Sequence, residues 1–73
     1  MASEADHRNR ISVGREVYDG VEAVRQSGAT NMIDRPRVIE IAEAMGFEAA
    51  ARWIRENPGL YARAVFHGLE VLP

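Results

Sequence analysis

A chain of 73 residues holds one domain, and only about 60% of the unfolded surface of so short a chain can be buried, which argues against a deep catalytic cleft. It has no cysteine, so a disulfide framework, a thiolate zinc site and a thiol nucleophile are excluded together. Eleven acids against nine bases leave a formal charge of -2, which argues against a non-specific nucleic-acid binder that works by neutralising phosphates.

Residues 1 to about 10 are polar and carry no apolar period, so a mobile tail is expected there. His7 in that tail has no second ligand at helical spacing and reads as solvated. Residues 11–73 then make a single helical domain. Val13, Val17, Val21 and Val24 fall four, four and three apart, which predicts one face of a helix from Ile11 to Gln26 with Ser12 as its cap. Asp19-Gly20 dissents, because Asp-Gly beside Val21 and Val17-Tyr18 is also a two-residue hairpin signal. The adjacent apolar pair Ala23-Val24 breaks strand alternation, and the helix is preferred. A glycine inside it costs about 1 kcal/mol relative to alanine, and close approach by another helix is the reason to keep one there.

The stretch Arg25 to Asp34, RQSGATNMID, carries a helix stop and a helix start within ten residues. Gly28 suits the left-handed position that ends a helix, and Arg25 faces the negative end of the dipole. Asp34 can cap the next helix, which places Ile33 and Val38 as a hydrophobic staple. That helix is predicted from Arg35 to Met45, with Pro36 in its first turn and Val38, Ile41, Ala42 and Met45 inward. Gly46 ends it, and Phe47 packs back as in a Schellman ending. A third helix, about Phe47 to Glu56, buries Phe47, Ala50, Ala51 and Ile54 and exposes a Glu48-Arg52-Glu56 ladder. Trp53 falls at the margin of that stripe, either as a lid on the small core or as an anchor for a partner. Asn57 and Pro58 read as cap and first residue of a fourth helix carrying Leu60, Tyr61, Ala64, Val65 and Phe66 to about His67. Gly68 stops it, and Leu69, Val71 and Leu72 leave an apolar tail that either folds onto the core or meets a second subunit. The fold class predicted is all-α, a small bundle of three to four short helices.

The residues Arg25, Gly28, Thr30, Asn31, Met32, Ile33 and Asp34 form the pattern Arg-x-x-Gly-x-Thr-Asn-Met, an apolar residue, then Asp. It resembles a family of short, uncharacterised domains of phage and prophage proteins, and the likeness runs more loosely over residues 20 to 62. What the resemblance implies is a shared fold and an origin in mobile elements, not a mechanism.

Turn and cap geometry alone calls for Gly, Thr, Asn and Asp in such a connection. The functional reading of the same stretch is that Arg25, Thr30, Asn31, Arg35 and Arg37 converge as a polar patch that holds an anion or a partner's carboxylate. Every base is arginine, which suits contacts with carboxylates and aromatic rings, although a chain without lysine and rich in alanine is also what a GC-rich genome encodes. Three functions compete. The first is a small protein-binding module or inhibitor acting through helix surfaces and the 28–37 loop, with Trp53 as a further contact. The second is a DNA-binding regulator, because IAEAMGFEAAARWIR looks like a helix-turn-helix; yet Arg52 and Arg55 stand where that motif needs apolar residues, one place after Ala51 and Ile54. The third is an oligomer that sequesters a phosphorylated ligand at a helix N-terminus. An enzyme is not expected, since no nucleophile-base set, phosphate loop or metal-ligand spacing is present, and no cofactor is implied. The expected partner is another protein, with a homo-oligomer through the C-terminal apolar segment as a further expectation. No run reaches the roughly 18 apolar residues of a membrane span, and MASEADHRNR lacks the apolar core of a secretory signal, so the cytoplasm is the expected compartment.

Overall fold

The computed structural model describes residues 10–73; the expectations for the preceding tail and for His7 lie outside them. Its elements run β1 (Ile11–Val13), α1 (Arg15–Ser27), α2 (Arg35–Ala44), α3 (Glu48–Glu56), α4 (Pro58–His67) and β2 (Leu69–Val71). Four short helices carry the fold, and the all-α reading holds with one addition: a two-stranded parallel ribbon that joins the two ends of the domain.

That ribbon corrects the reading of the first segment. Ile11 pairs with Leu69, Ser12 with Glu70 and Val13 with Val71. The Ser12 hydroxyl donates to Glu70 Oε2 at 2.9 Å instead of capping a helix, and α1 begins after Gly14, whose backbone is extended. Val13 is buried from the strand, and its spacing to Val17 is coincidental. The apolar tail folds within the chain: Leu69 packs against the core, while Leu72 stays exposed. Parallel strands cannot be joined by a tight turn, and here the whole helical unit serves as their crossover.

α1 is one helix through Asp19-Gly20, with no hairpin. The decisive residue is Gly20, which is buried where α3 crosses. A Cβ built on it would overlap the Cβ of Ala50 and stand 2.9 Å from that of Phe47. The glycine weakens the helix locally and lets two backbones approach. Small residues continue the contact: Ala42 of α2 and Ala50 and Ala51 of α3 are buried with Val21, Val24, Val38 and Ile54. Tyr61 of α4 is the largest side chain in this core.

The connections obey local backbone chemistry. Gly28 adopts φ +66° and closes α1, its N–H donating to the Arg25 carbonyl at 3.3 Å. The Ser27 hydroxyl donates to the Val24 carbonyl at 2.6 Å and accepts from the Ala29 N–H at 3.2 Å. One side chain thus bridges an unpaired carbonyl and amide at the helix end. Asp34 caps α2 by accepting from the Arg37 N–H at 3.4 Å. α2 ends in a Schellman pair, Phe47 N–H to Ala42 carbonyl at 2.8 Å and Gly46 N–H to Glu43 carbonyl at 3.0 Å. Gly28→Val should cost about 1–2 kcal/mol, because a β-branched residue resists positive φ, whereas Gly28→Asn should cost much less. Urea denaturation of the two variants measures the difference, and equal midpoints would show that this position does not hold the left-handed turn.

Four expectations fail on packing. Ile33 does not staple to Val38: Val38 is fully buried in the core, while Ile33 is 66% exposed. Met45 is 44% exposed, because α2 ends before it and the Gly46 turn carries it out of the inward stripe. The Glu48-Arg52-Glu56 ladder does not close; Arg55 reaches back to Glu43 of α2 at 2.8 Å. Asn57 makes no side-chain cap on α4, and its amide donates to the Trp53 carbonyl at 3.0 Å, closing α3.

Candidate functional site

The 28–34 connection is held from within and from below. Asn31 Oδ1 accepts from the Ile33 N–H at 2.9 Å, a side-chain turn that sets the loop's curvature. The Tyr61 hydroxyl donates to the Met32 carbonyl at 2.6 Å, tying the loop to α4. Burial pushes the Tyr61 phenol up to about 12, which keeps its proton in place for that bond. Arg35 Nη1 donates to the Ile54 carbonyl at 3.3 Å, tying the start of α2 to the end of α3. A loop fixed at so many points presents its outer side chains in one arrangement.

The residues singled out from the sequence are engaged with separate partners. Arg25 pairs with Glu22 on α1 at 3.0 Å, Arg37 pairs with Glu40 on α2 at 3.0 Å, and Arg35 serves the α3 carbonyl. Asn31 shapes the loop, and Thr30 is half-buried beside it. Trp53 is half-buried and packs on the core, as a lid would. The three guanidinium groups therefore serve three different elements rather than one shared ligand position.

The surface around this loop holds two clefts that share the wall made by Tyr61 and Val65. One, about 150 Å³, lies between the loop and α4 and is lined by Ile33, Arg35, Pro58, Ala62 and Phe66 besides that wall. Phe66 is 72% exposed and faces it with Ile33. The other, about 430 Å³, lies between α1, α4 and β2, where Arg10, Arg25 and His67 meet Val21, Met32 and Leu69. Sequence reading passed over Ile33 and Phe66 as site residues because Ile33 was assigned to a staple with Val38 and Phe66 to the apolar residues of the fourth helix. The available signal was spacing: Phe66 is off the stripe of Tyr61 and Ala64, where a large aromatic has no core to enter. Arg10 and His67 carried no signal, since only the strand pairing brings the two ends of the domain together.

A family model described as a domain of unknown function, DUF5049, matches residues 14–68. The chain belongs to that family. In this DUF5049 domain the match spans all four helices, from the residue before α1 to the glycine that ends α4, and leaves both strands of the ribbon outside. Arg25, Thr30, Asn31, Arg35, Arg37 and Trp53 lie within it, whereas Arg10 and Leu69 do not. No curated protein and no solved structure matches this DUF5049 chain. Among the described residues no group of three or more His, Asp or Glu is placed to hold a metal, and no helix is long and apolar enough to cross a membrane.

Proposed function

We propose that this DUF5049 domain is a small non-enzymatic protein-binding module of phage or prophage type, which grips an apolar side chain of its partner between Ile33 and Phe66. The observation that carries the reading is the pairing of two large, exposed apolar side chains across one cleft on an internally braced loop. Scattered exposed apolar residues are ordinary, but two that line a common concavity are costly to leave in water and favour a partner. Arg35 lines the same cleft and spends only one of its five N–H donors on Ile54, so a carboxylate beside the partner's apolar anchor completes the fit. The likeness of the Arg25–Asp34 motif to phage and prophage domains supports a partner on the host side.

The exposed face of α3 favours this reading over DNA binding. Glu48, Arg52, Arg55 and Glu56 lie on it, two acids with two bases, and Arg55 is already paired with Glu43. A recognition helix needs free bases facing phosphates and base edges.

The test uses the full chain as bait in a host lysate, beside an Ile33→Ser/Phe66→Ser double variant. Both side chains are exposed, so the variant should keep the wild-type melting curve. Loss of the captured partner by at least about 30-fold, the scale of about 2 kcal/mol at a binding hot spot, is expected. Capture of the same proteins by both chains, or of none by the wild type, would end the proposal. A wild-type dimer that becomes a monomer in the variant would assign the cleft to a second copy instead.

A further inference from the structure

We propose that the larger cleft, between α1, α4 and β2, binds a small apolar monocarboxylate, with Arg10 holding the carboxylate and Val21, Met32, Val65 and Leu69 enclosing the apolar part. Its volume, about 430 Å³, falls in the roughly 300–1,000 Å³ range of small-molecule sites. Such sites pair apolar surface with polar groups that orient the ligand, and here Val21, Met32, Val65 and Leu69 share the lining about equally with polar side chains, Arg10, Glu22, Arg25 and His67 among them.

The charges select the ligand. Glu22, the acid of the cleft, is committed to Arg25 at 3.0 Å, so that pair contributes no net charge. Arg10 has no carboxylate partner among the described residues, and one guanidinium is left over. Its stem lies along Gly68, where a Cβ would be in ordinary van der Waals contact, 3.6 Å from Arg10 Cγ and 3.7 Å from Nε. The Ile11 N–H bond to the Gly68 carbonyl at 3.0 Å fixes the backbone next to Arg10, so the guanidinium is delivered to the cleft by the ribbon. A single unmatched guanidinium calls for a single negative charge, and its planar fork fits a carboxylate through two parallel bonds. A phosphate dianion would bring a second charge with Glu22 nearby, and among the described residues lining the cleft there is no further free arginine to meet it. His67 lines the cleft as well and can add one hydrogen bond to the bound oxygen. Tyr61 cannot, since its hydroxyl already donates to Met32.

Amide spectra of the full-length ¹⁵N-labelled chain, titrated with octanoate, octyl phosphate and octanol, test this directly. Octanoate should shift the amides of Val21, Met32, Val65 and Leu69 saturably, with octanol at least tenfold weaker and octyl phosphate weaker than octanoate. Arg10→Gln should weaken octanoate about tenfold and leave octanol unchanged. Absence of saturable shifts with octanoate, or equal affinity of wild type and Arg10→Gln, would overturn the proposal. So would octyl phosphate binding as tightly as octanoate, or shifts that centre on Ile33 and Phe66.

Discussion

Tyr61→Ala should lower stability by about 3–5 kcal/mol, the scale for removing a buried aromatic side chain. A chain of this length has only roughly 4–11 kcal/mol in all, so the variant stands at the edge of unfolding. The size of the effect follows from position: Tyr61 is the largest fully buried side chain, and the core it completes is otherwise made of Val, Ala and one Ile. Tyr61→Phe separates the ring from the hydroxyl. It should cost about 1–3 kcal/mol, because the part-buried Met32 carbonyl loses its donor at 2.6 Å. A pH dependence follows too. The phenol's ordinary value is 10.0 and burial raises it to about 12 in the folded chain. Below pH 10 it is neutral in both states and its contribution is fully present. Between 10 and 12 the unfolded chain ionises first, so stability falls as pH rises through that window. Urea unfolding at pH 9, 10 and 11 should show the decline in the wild type and a shallower one in Tyr61→Phe. An identical slope in both would remove Tyr61 as its source.

The parts legible in the sequence are those decided within one turn of backbone. Gly28, Asp34 and the Gly46-Phe47 ending behave as read, because left-handed glycines and side-chain caps depend on neighbours within about five residues. The ribbon was not legible. ISV and LEV are three residues each, too short for alternation to register, and the Ser12–Glu70 bond joins positions 58 apart. The partners of the candidate-site residues were not legible for the same reason. Arg25, Arg35 and Arg37 are close in sequence and suggested one patch, but Arg25 lies on α1 and Arg35 and Arg37 on α2, and each found its own acceptor, Arg35 a carbonyl 19 residues away. Ile33 and Val38 had staple spacing, yet Val38 was claimed by the inter-helix core, leaving Ile33 outside to line a cleft with Phe66. Sequence fixes which side chains are apolar; tertiary crowding decides which of them are left without a place inside.

Gly20→Ala is the sharper probe of that crowding, because two known effects oppose each other. In an exposed helix the change would stabilise by about 1 kcal/mol. At the α1–α3 crossing the new methyl overlaps Ala50 Cβ and presses on Phe47 Cβ at 2.9 Å. Both atoms are the first carbons of their side chains, so no rotamer change relieves the contact and α3 as a whole must move. Overpacking of this kind costs about 1–3 kcal/mol, occasionally more, and overcomes the propensity gain when backbone has to shift. The net expectation is a loss of about 1 kcal/mol, or a melting temperature lower by roughly 4–8 °C in a domain of this size. Gly20→Val, with two further methyl groups, should lose more. Ala50→Gly added to Gly20→Ala removes the worst overlap and should recover part of the loss, giving a coupling of about 1 kcal/mol or more in a double-mutant cycle. If Gly20→Ala instead raises the melting temperature, α1 and α3 do not touch at this position, and the glycine that looked like a hairpin turn has some other reason to sit in the middle of a helix.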